Sequence, residues 1–156
     1  MHLNINNGVK KIQMPEYKIS IDNQSDSKSC NFIDKQLHEF NLGKIGDYQY
    51  TPLCLLLHDL EQKLMGGLDA FMGLGWLHIG KLWIAEELRG YGYGKALVLA
   101  AEQEAIKHGC LNAYVFTYSF QSPDFYKHLG YEVFGELENF PPGYCRYFLK
   151  KRLEVV

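Results

Sequence analysis

The sequence predicts an α/β domain on three observations. Residues 77–84, Leu-His-Ile-Gly-Lys-Leu-Trp-Ile, form an apolar stretch with β-branched and aromatic members and read as a buried strand. A glycine-rich turn, Arg89-Gly90-Tyr91-Gly92-Tyr93-Gly94, follows at once, and residues 93–108, rich in Ala, Leu, Glu and Gln, read as a helix. From there to residue 150, strands and helices alternate. The 156 residues, of which 47% are hydrophobic and 14% aromatic, suffice for one domain with its own core. We expect a single domain over residues 1–156, with the polar residues 1–15 loosely held.

The elements follow in order. Residues 17–21, Tyr-Lys-Ile-Ser-Ile, alternate as a first strand should. Residues 29–42 carry Phe32, Ile33, Leu37 and Phe40 at helical spacing, with Gly43 as the stop signal. A strand at residues 53–57 leads into a hairpin turn at residues 59–63, and a third strand, residues 64–74, passes through Gly75 into the strand beginning at Trp76. The helix over residues 93–108 closes at Gly109 in the left-handed region, and its stripe Leu97, Ala100, Ala101, Ala105 faces a sheet. After a strand at residues 112–116, a short helix over residues 122–129 has Ser122 as its cap and Pro123 in its first position. Two strands, residues 131–135 and 144–150, complete the chain.

The glycine-rich turn carries chemistry. Three glycines in five residues let main-chain N–H groups converge without interference from Cβ, and a helix N-terminus adds unbonded N–H groups and a positive dipole end. The combination suits a phosphate, although a turn of this composition also occurs without a ligand. Two familiar phosphate motifs are excluded by spacing. A dinucleotide fingerprint requires glycine three positions after Gly92, where Lys95 stands. A nucleotide-triphosphate loop requires glycine and Ser or Thr where Arg89 and Ala96 stand.

The spacing that is present is Arg-x-x-Gly-x-Gly, carried by Arg89, Gly92 and Gly94 after Leu82-Trp83-Ile84. Downstream, residues 112–116 read as the next strand, and Pro123-Asp124-Phe125-Tyr126-Lys127-His128-Leu129-Gly130-Tyr131 supplies Tyr-x-x-x-Gly-Tyr. Together these resemble the pyrophosphate motif and the tyrosine signature of the GCN5-related N-acetyltransferase (GNAT) superfamily. The resemblance is close over residues 76–136 and extends by strand order over residues 17–153. It implies a mixed, splayed β-sheet flanked by helices on both faces.

The resemblance also implies roles. Main-chain groups of Leu82, Trp83 and Ile84 would grip the pantetheine arm and thioester of acetyl-CoA, their side chains being core. The pyrophosphate would lie over the N–H groups of Arg89, Gly90, Tyr91, Gly92, Tyr93, Gly94 and Lys95. The Arg89 and Lys95 side chains either add charge there or are solvated cations. Tyr126 falls on the family's general-acid position, where a phenol protonates the departing thiolate. Ser119 stands where many relatives carry a cofactor-binding Asn, with a shorter reach. For the base, some relatives place a carboxylate six residues before the position of Ile84; here that residue is His78, whose imidazole suits the task. Asp69 and an ordered water relay are the other candidates, and Glu86 and Glu87 read as solvated. Tyr48, Tyr50, Phe71, Trp76 and the loop over residues 136–144, with Glu136 and Glu138, are candidates to line the acceptor pocket.

Composition narrows the partners. A formal charge of −2 gives no electrostatic case for nucleic acid or a membrane surface. Cys30, Cys54, Cys110 and Cys145 are scattered without paired spacing and read as reduced thiols, the N-terminus lacks a signal-peptide core, and no apolar run approaches a bilayer span. Composition leads us to expect a cytoplasmic protein, and the resemblance implies a monomer or homodimer that needs no metal and transfers acetyl from acetyl-CoA directly to a primary amine of a small molecule or peptide. An acyl-CoA-binding sensor without transferase chemistry and a toxin-type enzyme acting on aminoacyl-tRNA are the alternative readings.

Overall fold

The computed structural model describes residues 17–24 and 27–154, so the expectation for residues 1–15 lies outside the described residues. The chain divides into two compact units, Met1–Gly46 and Asp47–Val156. In the first unit, helix α1 (Lys28–Ile45) starts at Ser27, whose hydroxyl accepts a hydrogen bond from the Cys30 N–H at 3.2 Å. Gly43, expected as the stop, lies inside this helix. A lone glycine costs a helix only about 1 kcal/mol, and the chain leaves instead at Gly46, which takes φ +76° and returns its N–H to Leu42 O at 3.0 Å.

The strand expected at residues 17–21 is absent. Tyr17, Ile19 and Ile21 are almost fully exposed, and no strand among the described residues pairs with them. An alternating pentapeptide without ladder partners gains nothing to offset backbone ordering.

In the second unit the elements run β1 (Thr51–His58), β2 (Leu64–Gly73), β3 (Trp76–Ile84), a 3-10 turn (Glu86–Leu88), α2 (Tyr93–Lys107), β4 (Asn112–Tyr118), α3 (Pro123–His128), β5 (Glu132–Leu137) and β6 (Arg146–Arg152). The six strands form one mixed sheet in the order β1-β2-β3-β4-β6-β5. Only β3 and β4 are parallel, joined by the crossover through α2. The β1–β2 hairpin closes on Asp59, whose Oδ1 accepts the N–H groups of Glu61 and Lys63, both at 2.9 Å.

The core lies under α2. Val98, Ala101 and Ala105 of α2 and Tyr126 of α3 join Leu68, Ala70, Leu77, Ile79, Ala113, Val115 and Leu149 of the sheet in one buried cluster. The stripe differs from expectation, since Ala100 is exposed, Leu97 is only half-buried, and Val98 and Glu102 are buried with Ala101 and Ala105. The register i, i+3, i+4, i+7 then runs through Val98, Ala101, Glu102 and Ala105 and places a carboxylate in the core. The Ser122 hydroxyl makes no cap bond to α3, whose start rests on Pro123 in the first turn.

Glu102 is buried and fully engaged. Lys151 Nζ donates to its carboxylate oxygens at 2.7 and 3.0 Å, and the Tyr131 hydroxyl donates at 2.9 Å. Burial first, and then the adjacent carboxylate, hold the Tyr131 phenol far above its ordinary pKa, so it stays a donor. Strands β3 and β4 use alternate residues on the other face of the sheet, where Trp76, His78, Gly80, Tyr114, Phe116 and Tyr118 are only partly covered.

Breaking this buried group should be costly. Lys151→Met leaves the Glu102 carboxylate with one donor and should lower the unfolding free energy by about 3 kcal/mol, read from urea midpoints. A Glu102→Leu/Lys151→Met double variant, which removes both charges, should recover much of that loss.

Candidate active site

The site begins where a ladder ends. Strands β3 and β4 pair from Trp76↔Asn112 to Ile79↔Val115 and no further, while β3 continues along β2 to Ile84. The two strands part at Gly80, leaving a cleft of about 830 Å³. One wall is residues 80–84 of β3, the other residues 115–118 of β4, and Phe125 and Tyr126 of α3 line it as well.

At the rim of this cleft the chain turns into α2. Gly90 and Gly92 hold φ of +82° and +89°, a left-handed region that other residues occupy only with strain. Gly92 is the N-cap of α2, and the first intrahelical bond runs from the Ala96 N–H to Gly92 O at 3.0 Å. Helix geometry therefore leaves the N–H groups of Tyr93, Gly94 and Lys95 without intrahelical acceptors. They sit beside the cleft at the positive end of a 15-residue helix, an arrangement suited to phosphate.

The side chains around the turn divide by task. Arg89 Nε donates to Ile84 O at 3.1 Å, which ties the turn to the last residue of β3. Arg89 and Lys95 both line the cleft and are exposed. Tyr91 points away, at 77% exposure, and does not line the cleft. Of the three β3 residues expected at the thioester, Leu82 and Ile84 are half-buried. The Trp83 side chain, expected in the core, is 53% exposed, because strand alternation turns it opposite to Leu82.

Tyr126 is buried in the cleft wall, with Phe125 at 4.9 Å and Tyr131 at 5.7 Å between ring centroids. Burial pushes its phenol up to about 12. Ser119 is not part of the lining. It is exposed, its hydroxyl accepts from the Cys145 N–H at 3.1 Å, and its own N–H donates to Cys145 O at 2.9 Å, so it stitches the end of β4 to the approach of β6.

His78 lies on the face of the sheet opposite α2. Its ring is stacked on Tyr114 at 4.4 Å and lies 4.6 Å from Phe71, and its Nδ1 is buried without a partner. Burial lowers its pKa below the ordinary 6.5, and the charge of Asp69 opposes this only in part. Asp69 itself is exposed and bonded to Lys81 at 3.2 Å. Beside His78, Tyr50, Phe71, Trp76 and Tyr114 line a second cavity of about 560 Å³, with Tyr48 edge-on to Tyr50 at 5.9 Å. His78 thus stands between this aromatic cavity and the cleft, touching the first through Tyr114 and the second through Phe116, 6.3 Å away.

Sequence reading missed part of the lining. The Gln121 side-chain oxygen accepts from the Thr117 hydroxyl at 3.1 Å and the Tyr118 N–H at 3.2 Å, holding the free end of β4 open. Phe116, Thr117, Phe120 and Phe125 also line the cleft. For Gln121 no signal exists in the sequence, since a Gln in a polar turn has no marked spacing. For Phe116 and Tyr118 the alternation of β4 would have placed both on the face of His78.

A family model described as the acetyltransferase (GNAT) family matches residues 14–131. The chain belongs to this family, as an enzyme of the N-acetyltransferase class. It is similar to a blasticidin-S acetyltransferase of Streptomyces morookaense, with 37% identity over 92 residues, or 58% of this chain and 68% of that protein. Among solved structures, an acetyltransferase from Bacillus cereus ATCC 14579 superposes with a TM-score of 0.79 at 32% identity, covering 86% of this chain and 98% of its own. An acetyltransferase from Bacillus anthracis str. Ames, solved in complex with acetyl coenzyme A, shares the fold at a TM-score of 0.54 and 16% identity over 60% of this chain and 58% of its own.

Among the described residues no helix is long and apolar enough to cross a membrane, and no cluster of three or more His, Cys, Asp or Glu side chains has the arrangement to hold a metal ion.

Proposed function

We propose that the protein transfers an acetyl group from acetyl-CoA to a primary amine of a small molecule by direct attack. One observation carries this reading. The bare N–H groups of the α2 N-terminus, the parted edges of β3 and β4, and the Tyr126 phenol all border the same cleft. A pyrophosphate suits the first, a thioester with its pantetheine arm suits the second, and a sulfur leaving group suits the third. A small acceptor is supported by the aromatic cavity next to His78 and by the name of the blasticidin-S acetyltransferase relative.

The chemistry divides among the residues accordingly. The main chain of residues 82–84 and 89–95 holds and orients the donor, and the aromatic cavity holds the acceptor. Holding both is itself a large part of the rate, because effective molarities for oriented groups are very high. Nitrogen attacks the thioester carbonyl, the N–C bond forms, the C–S bond breaks, and one proton passes from nitrogen to a base.

His78 is that base. Its burial keeps the imidazole neutral at pH 7, ready to accept. A base this weak does not strip a free ammonium, whose pKa is near 10; it takes the proton once the N–C bond has begun to form and nitrogen has become acidic. Asp69 is a poorer candidate, because it faces solvent and is held by Lys81.

Tyr126 acts at the sulfur. With its phenol near 12, it is fully protonated at working pH. A thiol titrates near 8.5, so complete transfer of the phenol proton to the thiolate is uphill by more than roughly 4 kcal/mol. Tyr126 therefore stabilises the leaving sulfur chiefly as a hydrogen-bond donor inside a dry wall.

Three measurements test this reading. Gly92→Val forces a branched side chain into φ +89° at the α2 N-cap and should weaken acetyl-CoA binding more than tenfold by calorimetry; unchanged affinity would remove the loop from the donor site. Tyr126→Phe should lower kcat by about a hundredfold with acetyl-CoA affinity nearly intact; equal turnover would leave Tyr126 a packing residue. For His78, a lowered pKa means the neutral form persists to lower pH, so kcat/KM should show a His78-dependent limb with its midpoint below 6.5, beneath the separate rise that the acceptor amine contributes up to its own pKa near 10. His78→Ala should abolish that limb and slow the reaction, whereas a limb unchanged in the variant would assign it to the acceptor or a water relay.

A further inference from the structure

Arg146, the first residue of β6, is an unpaired cation inside an aromatic cage. Its guanidinium carbon lies 4.2 Å from the Phe140 ring centroid, 4.4 Å from that of Phe116 and 4.8 Å from that of Tyr118. One Nη2–H donates to the Tyr118 hydroxyl, and Nε is buried without any partner. Among the described residues no carboxylate lies within ion-pairing distance of it. Buried or half-buried charges are ordinarily paired, because desolvating them is costly. Cation–π contacts offset part of that cost but satisfy none of the N–H donors.

The position of this cation matters as much as its state. Tyr118 is cross-strand from Arg146, and both Phe116 and Tyr118 line the cleft. Phe116 is the common neighbour of Arg146 and His78 on one face of the sheet. The rings of Phe120 and Phe140 each lie within 10° of parallel to Tyr118, at 5.1 and 6.3 Å, which fixes the plane of the cage.

We propose that Arg146 is an anion anchor for the acceptor, so that the natural substrate is an amine that also carries a carboxylate. The proposal rests on the amine-acetylation reading and adds a substrate class to it. The carboxylate accepts from guanidinium N–H groups that the Tyr118 hydroxyl leaves free, a charge-assisted bond that cation–π contacts cannot replace. The amine then lies past Phe116 beside His78, and the rest of the acceptor continues into the aromatic cavity on the Tyr114 side. The partial cover of Phe116, Tyr118 and Phe140 lowers the local polarity around the guanidinium, which strengthens the charge pair.

Calorimetry with two probes of nearly equal shape, phenylacetate and 2-phenylethanol, tests this without relying on turnover. At pH 7.5 the wild-type protein should bind phenylacetate at least tenfold more tightly, and Arg146→Met should erase the difference. Arg146→Lys, which keeps the charge but loses the fork, should weaken phenylacetate by at least threefold, and it decides the matter alone should Arg146→Met fail to fold. Acetyl-CoA affinity should be the same in all three proteins. Equal binding of the two probes by wild type, a preference that survives Arg146→Met, or unchanged phenylacetate binding in Arg146→Lys would overturn the proposal. A parallel loss of acetyl-CoA affinity would overturn it too, by assigning Arg146 to the donor's phosphates. Failure of amine acetylation itself would show separately, as absent thiol release across carboxylate-bearing and carboxylate-free amines.

Discussion

The end of pairing between β3 and β4 is the constraint on which the site depends. Backbone groups in a sheet interior are almost always bonded, so two adjacent strands that stop bonding must be parted by something and must be satisfied by something. Here β3 keeps its ladder to β2 as far as Ile84, and β4 keeps its ladder to β6 as far as Tyr118, so each strand is anchored on its outer side only. Gln121 holds the tip of β4 through Thr117 and Tyr118, and Arg89 holds the tip of β3 through Ile84 O. The cleft is thus a preformed gap between two firmly held edges, and the polar groups facing it suit an amide-bearing arm laid along an open strand.

Charge plays a small part in this design. The end of the cleft proposed for the donor presents oriented N–H groups at a helix start, with Arg89 and Lys95 at the solvent edge. Oriented amides need no reorganisation when an anion arrives, and salt weakens them less than it weakens exposed side chains. His78 and Tyr126, the two groups proposed for the chemistry, are held in their neutral forms by the same cause, burial, acting in opposite directions. It lowers the imidazole of His78 and raises the phenol of Tyr126, so one is ready to accept a proton and the other to donate a hydrogen bond.

On the face proposed for the acceptor, half-covered aromatic rings do the shaping. His78 is clamped by Phe71 and Tyr114, and Phe116 and Phe140 cover the Arg146 guanidinium. This face is built from alternate positions of strands whose other residues make the core. Leu77 and Ile79 pack under α2 while His78 and Gly80 face the opposite way. A single register therefore sets stability on one face and the reactive surface on the other, and a one-residue slip would exchange them.

The sequence by itself determined the order of β1 to β6 with α2 and α3 and the glycine-rich helix start, because these depend on local periods and on glycine at positions where φ must be positive, while Tyr126 was singled out by the family resemblance. It misjudged residues 17–21, the end of α1 and the side-chain role of Trp83, where the outcome turned on partners or on continued helix bonds that a short window does not contain. It also gave Ser119 a place in the cleft, whereas the tertiary structure spends that hydroxyl on Cys145 and puts Gln121 beside the gap. The cage around Arg146 was invisible in the same way, for two of its rings come from β4 and the third from the loop between β5 and β6, and the two β4 rings stand 28 and 30 residues before the arginine they cover. Local conformational preference is written residue by residue, but burial, and with it the direction of a pKa or the isolation of a charge, arises only when distant segments converge.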